Sequence, residues 1–231
     1  MQLMEWNDGG VEEQVTALRN ALEALADGES LELIGSGSSQ EMITTLQAQR
    51  WGYYDCYPLP AQSGWRLQIF NHAAPEQPRR VVGFFTFDHR RCDQLFADME
   101  IAAKEGSTPE AKGLFNAFEM GMQFHFKMEE EVLFPTFESR AGMPPNQGPT
   151  MVMRMEHQQM RGLLQQMREA ADKDDLAQLA SVGGTLLFLM QQHNMKEEQM
   201  LYPACDAHLG PVVDEVLQRA QGLLARIFHE G

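Results

Sequence analysis

Four histidines and two glutamates recur at a fixed spacing in two stretches of the chain. His125 begins HFKMEEEVLFP and His193 begins HNMKEEQMLYP, so both stretches read HxxxEExxL(F/Y)P. Upstream, His89 and His157 each follow an acidic residue, and each precedes the histidine of its own stretch by 36 positions. The chain therefore carries an internal repeat with an offset of 68 residues. Each copy has one histidine followed by a His–Glu pair.

The spacing within each copy predicts that these side chains share a helix face. Residues four positions apart in an α-helix lie about one turn apart on the same side. His125 with Glu129, and His193 with Glu197, can therefore point into one bundle interior. Four-helix bundles build metal sites from side chains on facing helices, so two such hairpins would bring four imidazoles and two carboxylates together.

This donor set suits two metals, with carboxylates as bridges and imidazoles as terminal ligands. If each metal takes two histidines, one oxygen from each glutamate and a shared oxo or hydroxo group, one of its six octahedral positions stays open for a small ligand. A single histidine on an apolar face is more often a hydrogen-bonded core residue. That alternative would have to hold for six residues at once, and each unpaired buried charge would cost several kcal/mol.

Acidic neighbours of these residues are further candidates. Asp88 and Glu156 directly precede a histidine in their copies, so either could hydrogen-bond an imidazole or shuttle protons. Glu130, Glu131 and Glu198 lie five or six positions after a histidine, a spacing that rotates them off the metal face. We expect those three to be solvated or paired with neighbouring basic residues.

Aromatic residues close the repeated motif, and the remaining histidines lie outside it. We expect Phe134 and Tyr202 to pack at a helix end, with Tyr202 within reach of the metal chamber. Tyr202, together with either Asp88 or Glu156, is thus our candidate for a catalytic role. His72, His208 and His229 fit no pattern and are expected at the surface.

The elements that position these residues are helices. Between residue 81 and the C-terminus the helix-breaking residues cluster at 106–109, 141–149, 172–175 and 210–211. Four long helices and a shorter fifth remain between the breaks. Long helices joined by short loops predict an all-α, up-and-down four-helix bundle with an extra C-terminal helix.

The first part of the chain has a different sequence pattern. It alternates helical and strand patterns, with a helix at 11–25, a strand at 31–34, a helix at 39–50 and two strands, YYDCYPL and GWRLQIF. This order predicts a small α/β two-layer domain at residues 1–72. A stretch with two prolines predicts a linker at 73–80, and the bundle then occupies 81–231.

Composition narrows the class of partner. The chain has 231 residues, with 18 Lys and Arg against 33 Asp and Glu, a formal net charge of −15. Such an acidic surface repels phosphate backbones and anionic headgroups, so neither nucleic acid nor a membrane is an expected partner. The N-terminus lacks a basic, then apolar, targeting pattern, and the three cysteines fit no disulfide framework, so we expect a cytoplasmic protein with reduced thiols.

At the repeated residues the sequence resembles the hemerythrin-like HHE cation-binding family. The resemblance rests on DH at 88–89, EH at 156–157 and the two HxxxEExxL(F/Y)P motifs, and it covers roughly residues 81–206. It implies a hemerythrin-like bundle with two non-haem iron ions, bridged by an oxo or hydroxo group and by two carboxylates. It implies Glu129 and Glu197 as bridges and four terminal ligands, His89, His125, His157 and His193.

The departures from that family refine the expected function. Oxygen-carrying hemerythrins have a second histidine one turn after the third-helix ligand, where this chain has Arg161, and an aspartate five residues after the last ligand, where this chain instead has Glu197 at +4. The site thus looks closer to the bacterial iron-centre-repair proteins, which also use four histidines and two glutamates. Those proteins carry a short cysteine-bearing N-terminal segment that this chain lacks. The same resemblance favours Glu156 over Asp88 as a proton carrier.

We therefore expect a di-iron protein that binds or transforms O2, NO or a peroxide in stress response, sensing or iron–sulfur repair. The alternative is an iron- or oxygen-responsive regulatory module that binds a protein partner through its N-terminal domain. The sequence leaves open whether the site turns over.

The N-terminal region resembles a small bacterial domain family of unknown function that is related in fold to sulfur-carrier proteins. The resemblance rests on ALEALADGESLELIGSGSS and LQAQRWGYYDCYP. Sulfur carriers have a cysteine at the start of their first helix, where residues 7–14 of this chain contain none. Persulfide transfer by that route is not expected.

Overall fold

The computed structural model describes residues 2–6, 11–36, 54–72, 79–145 and 147–224. These residues form two compact units. The first contains the described residues up to His72 together with 218–224, and the second contains Arg79–Leu217. The order of elements confirms the predicted fold class, a small α/β domain followed by a helical bundle.

The first unit is a four-stranded mixed sheet with a helix between its first two strands. The strands are β1 (Gln2–Trp6), β2 (Ser30–Gly35), β3 (Tyr54–Leu59) and β4 (Trp65–Asn71), in the order β1-β2-β4-β3. The pair β1 and β2 is parallel, whereas β4 runs antiparallel to both β2 and β3. Helix α1 spans Val11–Glu23.

Apolar side chains at alternate positions along the strands form the core of this unit. Leu31 and Leu33 on β2 pair with Ile69 and Leu67 on β4, and all four side chains are fully buried. Side chains two positions apart in a strand share one face of the sheet, so these residues make one apolar layer. Leu18 and Leu22 of α1, four positions apart on one helix face, are buried as well.

Four of the predicted elements of this domain are confirmed, namely α1, β2, β3 and β4, whereas strand β1 was not predicted. The sequence of β1, QLMEW, contains no β-branched residue, and its second residue, Leu3, is 60% exposed. The strand forms because it pairs with β2, a contact that local sequence does not encode. The predicted helix at 39–50 and most of the predicted linker lie outside the described residues.

Four long helical segments make up the second unit. Helix α2 spans Val81–Lys104. Helix α3 (Thr108–Met128) runs through a π-helical turn (Glu129–Leu133) into α4 (Phe134–Arg140). Helix α5 spans Pro149–Asp172. Helix α6 (Leu176–Lys196) runs through a second π-helical turn (Glu197–Leu201) into α7 (Tyr202–Leu209). A 3-10 turn (Gly210–Val212) leads to α8, Val213–Gln221, the predicted shorter fifth helix.

These segments pack as a closed ring. Helix α2 packs along α3 and α6, and α5 packs along α6 and α3. The breaks fall where the sequence places them, with prolines at the start of α3 and α5 and left-handed backbone at Gly106, Gly148 and Asp174. A buried cluster that includes Phe96, Phe118 and Leu186 fills the interior on one side of the histidines. No described helix is both long and apolar enough to cross a membrane.

The repeat extends to the starts of the helices. Asp206 accepts hydrogen bonds from the backbone N–H groups of Val81 (2.6 Å) and Val82 (3.3 Å), the first residues of α2. At the equivalent position of the other half, Glu138 accepts a hydrogen bond from the Thr150 hydroxyl at the start of α5 (2.6 Å). Each half of the repeat thus carries an acidic residue that binds the start of a helix in the other half. The two helices held in this way, α2 and α5, bear His89 and His157.

Candidate metal centre

The structure brings the four predicted histidines together as two pairs. Nε2 of His89 lies 3.2 Å from Nε2 of His125, and Nε2 of His157 lies 3.1 Å from Nε2 of His193. We call His89 and His125 the first pair, and His157 and His193 the second pair. All four rings are buried. Each pair comes from one copy of the repeat, so each half of the bundle offers two imidazole nitrogens at one point.

Glu129 lies between the two pairs. Its Oε2 atom is 3.4 Å from Nε2 of His125 in the first pair and 3.2 Å from Nε2 of His157 in the second pair. The side chain is fully buried. One carboxylate therefore reaches both halves of the centre.

Glu197 repeats this arrangement on the opposite side. Its Oε2 atom is 3.3 Å from Nε2 of His89 and 3.2 Å from Nε2 of His193, and it is also fully buried. The six residues predicted from the repeat thus converge on one buried cluster with the connectivity that two bridging carboxylates require.

Asp88 and Glu156 hold one histidine of each pair. Asp88 Oδ2 lies 3.0 Å from Nδ1 of His125, and Glu156 Oε2 lies 2.9 Å from Nδ1 of His193. Each acidic residue thus contacts the histidine of the following helix and not its own sequence neighbour. The prediction that they hydrogen-bond an imidazole is confirmed.

Glu130 and Glu198 hold the other two histidines, and they do so across the repeat. Glu130 Oε1 lies 2.8 Å from Nδ1 of His157, and Glu198 Oε1 lies 2.8 Å from Nδ1 of His89. The expected pairing of Glu130 with a basic residue is found, because Arg161 contacts it at 2.9 and 3.0 Å. The expectation was nevertheless wrong in giving these glutamates no role at the centre.

The π-helical turns explain that role. Each turn begins at the glutamate of a His–Glu pair, Glu129 or Glu197. A π-turn closes its hydrogen bonds at i→i+5, so successive side chains rotate by less than in an α-helix. Two consecutive glutamates can therefore both project into the bundle, one between the histidine pairs and one onto an imidazole Nδ1. The EE doublet in both copies is the sequence signal that could have revealed this.

We call the four carboxylates that contact an imidazole Nδ1 atom the outer carboxylates; they belong to Asp88, Glu156, Glu130 and Glu198. Basic residues contact the first three. Arg91 contacts Asp88 at 2.8 Å, Lys196 contacts Glu156, and Arg161 contacts Glu130. Burial opposes ionisation of Glu130, but hydrogen bonds with His157 and Arg161 outweigh burial and lower its pKa to about 2. The Glu130 carboxylate is therefore anionic at neutral pH and polarises the His157 imidazole.

A glycine makes room for the buried Arg91. A Cβ atom on Gly121 would lie 2.7 Å from the NH2 nitrogen of Arg91, closer than real Cβ contacts occur. Arg91 is only 7% exposed, and its guanidinium contacts Asp88 and lies 3.5 Å from the Cys92 sulfur. A cation can thus be buried beside the centre because α3 has no side chain at this point.

Neighbouring carboxylates raise the pKa of buried histidines at the centre. Burial by itself lowers the pKa of His125, but the charges of Glu129 and Asp88 outweigh burial and raise it well above its ordinary value. The pKa values of His89 and His193 are raised in the same way by their carboxylate partners. The raised pKa values of His89, His125 and His193 favour protonated imidazoles beside the buried carboxylates when no metal is bound.

Tyr202 is the point at which the two halves differ. Its buried hydroxyl oxygen lies 2.9 Å from Glu129 Oε1, 2.9 Å from Glu197 Oε2 and 3.2 Å from His89 Nε2. Burial and the two carboxylates raise the pKa of Tyr202 well above its ordinary value. The equivalent residue in the other half, Phe134, stacks on His157 with ring centroids 6.0 Å apart. The prediction that Tyr202 reaches the chamber is confirmed.

The cysteines and the remaining described histidines are not among the clustered donor residues. None of Cys56, Cys92 and Cys205, which all lie in described parts of the chain, forms a disulfide, and burial raises the pKa of Cys92 and Cys205. His208 lies in α7 and is exposed, as expected of a surface residue. His72 is partly buried and lies 3.0 Å from Asp55, so its expected surface position was only partly right. His229 lies outside the described residues.

The donor chemistry of the centre fits a bound cation. No described residue donates a hydrogen bond to Glu129 Oε2 or to Glu197 Oε1, although both oxygen atoms are buried. A buried carboxylate oxygen without a donor costs free energy, and a positive ion between the histidine pairs would compensate it. Two groups of donors lie close enough to hold an ion, the first made of His89, His125 and Glu197, and the second of Glu129, His157, His193 and Glu197.

Comparison with protein families agrees with this geometry. The model of the hemerythrin HHE cation-binding domain matches residues 80–205, more than half of the chain. The chain belongs to this family. A hemerythrin HHE domain binds metal cations, commonly iron, and the buried His/Glu cluster lies wholly within the matched residues. No curated protein and no solved structure matches the chain significantly. This chain is therefore a metal-binding hemerythrin bundle preceded by a small α/β domain.

Proposed function

We propose that the bundle holds two non-haem iron ions, with one histidine pair on each ion. Glu129 and Glu197 would bridge the ions, because each places one carboxylate oxygen 3.2–3.4 Å from a histidine of both pairs. That connectivity is the observation that carries the proposal. Two isolated single-ion sites would need a separate carboxylate for each pair.

The surroundings of the histidines support a metal role. Each of the four Nδ1 atoms lies 2.8–3.0 Å from a carboxylate oxygen. Such a partner fixes the ring orientation and raises the basicity of Nε2, the nitrogen left for the metal. Mixed imidazole and carboxylate donors are typical of non-haem iron. When bound, iron supplies electron transfer and open coordination positions for a small ligand.

We propose O2, NO or a peroxide as the ligand, in stress response, sensing or iron–sulfur repair. Aromatic side chains line the centre, because Phe85 packs against Tyr202 and Phe126 stacks on His157. Glu156 is the candidate proton carrier, since it connects His193 to the part-exposed Lys196. Tyr202 is the second candidate for a catalytic role, since its hydroxyl oxygen lies between Glu129 and Glu197.

A second candidate is an iron- or oxygen-responsive module without turnover. It is favoured by the separate sheet unit, which contributes none of the residues of the His/Glu cluster. In such a module the small domain would bind a protein partner. The two candidates differ in whether the small ligand is consumed.

Anaerobic reconstitution of the full chain with ferrous iron tests the proposal. We expect two iron ions per chain, and titration with O2, NO and H2O2 should change the absorption spectrum. Consumption of many equivalents in the presence of a reductant indicates an enzyme, and a stoichiometric end point indicates a binding module. His208→Ala is a matched control and should load like the wild type. A single tightly held zinc ion, or no iron retained, contradicts the di-iron proposal.

A further inference from the structure

The geometry points to the phenol oxygen of Tyr202 as a protein ligand at the first histidine pair, so that a small ligand binds only at the second pair. This inference rests on the proposed di-iron function. It assigns Tyr202 a place in the metal site beyond the six residues predicted from the repeat. It also makes the two metal positions unequal.

Distances around the hydroxyl match those between ligands of one ion. Donors about 2.1 Å from an octahedral ion lie about 3 Å apart when they are at right angles. The Tyr202 oxygen lies 2.9 Å from Glu129 Oε1, 2.9 Å from Glu197 Oε2 and 3.2 Å from His89 Nε2. The two Nε2 atoms of the first pair are themselves 3.2 Å apart. The hydroxyl oxygen therefore lies about as far from the neighbouring donor atoms as the two Nε2 atoms of the first pair lie from each other.

Hydrogen bonding alone does not account for these contacts. A phenol has one O–H, which can donate fully to one of the two carboxylate oxygens. The other 2.9 Å contact then sets oxygen lone pairs against each other in a buried, low-dielectric site. A cation between the oxygen atoms makes both contacts favourable. The same cation would replace the phenol proton, so the O–H bond is exchanged for an oxygen–iron bond and the proton leaves to solvent.

At the second pair the corresponding residue cannot act as a ligand. Phe134 lies 68 positions before Tyr202 and occupies the same place in the repeat. Its ring stacks on His157 at an interplanar angle of 16°, and the guanidinium of Arg154 lies 5.2 Å from the ring centroid. Within the described parts of the chain, the donors at the second pair are therefore two imidazoles and two carboxylates. Its ion keeps the open position that Tyr202 closes at the first pair.

Optical spectroscopy of the iron-loaded full chain tests the ligand directly. A phenolate bound to ferric iron gives a visible charge-transfer band, and resonance Raman excitation in that band enhances tyrosine ring modes. We expect both signals in the wild-type diferric protein and neither in Tyr202→Phe at unchanged iron content. Tyr54→Phe, which removes a phenol from β3, is the control and should keep both. Absence of the signals in a wild-type protein with two irons, or their persistence in Tyr202→Phe, would overturn the assignment.

Counting bound NO separates this inference from the proposed function. The diferrous wild type should bind one NO per chain, and Tyr202→Phe should bind two. Phe134→Tyr, the mirror substitution, should strengthen the charge-transfer band and lower NO binding. Two NO in both the wild type and Tyr202→Phe refutes the role of Tyr202 and leaves the di-iron site intact. Failure of the wild type to retain iron refutes the di-iron proposal itself.

Discussion

Glu198 Oε1 lies 2.8 Å from Nδ1 of His89, although 109 positions separate the two residues in the chain. The other half mirrors this contact, with Glu130 on His157. Each copy of the repeat therefore orients the first histidine of the other copy. The centre is complete only when both halves of the bundle have assembled, which couples metal binding to folding of the whole unit.

Replacement of an outer glutamate tests this coupling. Glu130→Gln keeps an oxygen that can accept from Nδ1 of His157 but removes the charge, so we expect metal affinity to fall about tenfold to a hundredfold. Competition with a chelator of known affinity measures the change. The exposed neighbour Glu131 provides the control, and Glu131→Gln should bind metal like the wild type. An equal loss of metal affinity in both variants would show that the loss follows from the removed negative charge and not from the contact with the imidazole.

The six clustered His and Glu residues could be predicted because helical periodicity fixes their placement. Positions i and i+4 share a face in any helix, and an exact repeat supplies the second half. Glu130 and Glu198 could not be placed by the same rule, because π-turns change the rotation per residue. Strand β1 was missed for a related reason, since its pairing with β2 joins distant parts of the chain.

Loss of one histidine should remove much of the metal. His193→Ala deletes one of two imidazoles of the second pair and leaves Glu156 and Glu197 without that partner. Breaking a buried charged set costs about 3–5 kcal/mol, so the thermal midpoint of the iron-loaded protein should drop strongly. Metal analysis and calorimetry measure both effects. His208→Ala should change neither quantity, and equal behaviour of the two variants would argue against ligation by His193.

Two glycines of α3 should respond to alanine in opposite ways. At Gly121 an added Cβ meets Arg91 at 2.7 Å and must displace the guanidinium from Asp88, so we expect destabilisation of about 1–3 kcal/mol. At Gly113 nothing lies within 4 Å, and alanine should stabilise the helix by up to about 1 kcal/mol. Urea denaturation of the two variants checks the contrast. Stabilisation by Gly121→Ala would mean that Arg91 is not needed where it lies.

The bundle should keep its metal without the small domain. All six clustered residues lie within Arg79–Leu217, the second compact unit. A shortened chain of residues 79–221, which ends with α8, should therefore be soluble and bind two iron ions per chain. Gel filtration and metal analysis give the result. Aggregation, or recovery without iron, would place the domain boundary elsewhere.

The pH dependence of metal binding follows from the raised pKa values of the histidines. In the metal-free protein the pKa of His125 is raised well above its ordinary value, because the charges of Glu129 and Asp88 outweigh burial. Stabilisation from this proton is fully present below the unfolded histidine pKa of about 6.5, and it is lost as pH rises through the folded pKa. A metal must displace the same proton, so metal affinity should rise with pH over that range.

We therefore expect the difference in thermal midpoint between the iron-loaded and metal-free proteins to widen as pH increases above about 6.5. The metal-free protein loses its proton-dependent stability over this range, whereas the iron-loaded protein, whose ligand nitrogens carry no such proton, does not. Anaerobic calorimetry at constant ionic strength measures the difference. The metal-free His193→Ala protein should lose less stability over this pH range than the metal-free wild type, since one raised histidine pKa is absent from that variant. A difference that stays constant or narrows with pH would show that the buried imidazoles are not protonated without the metal.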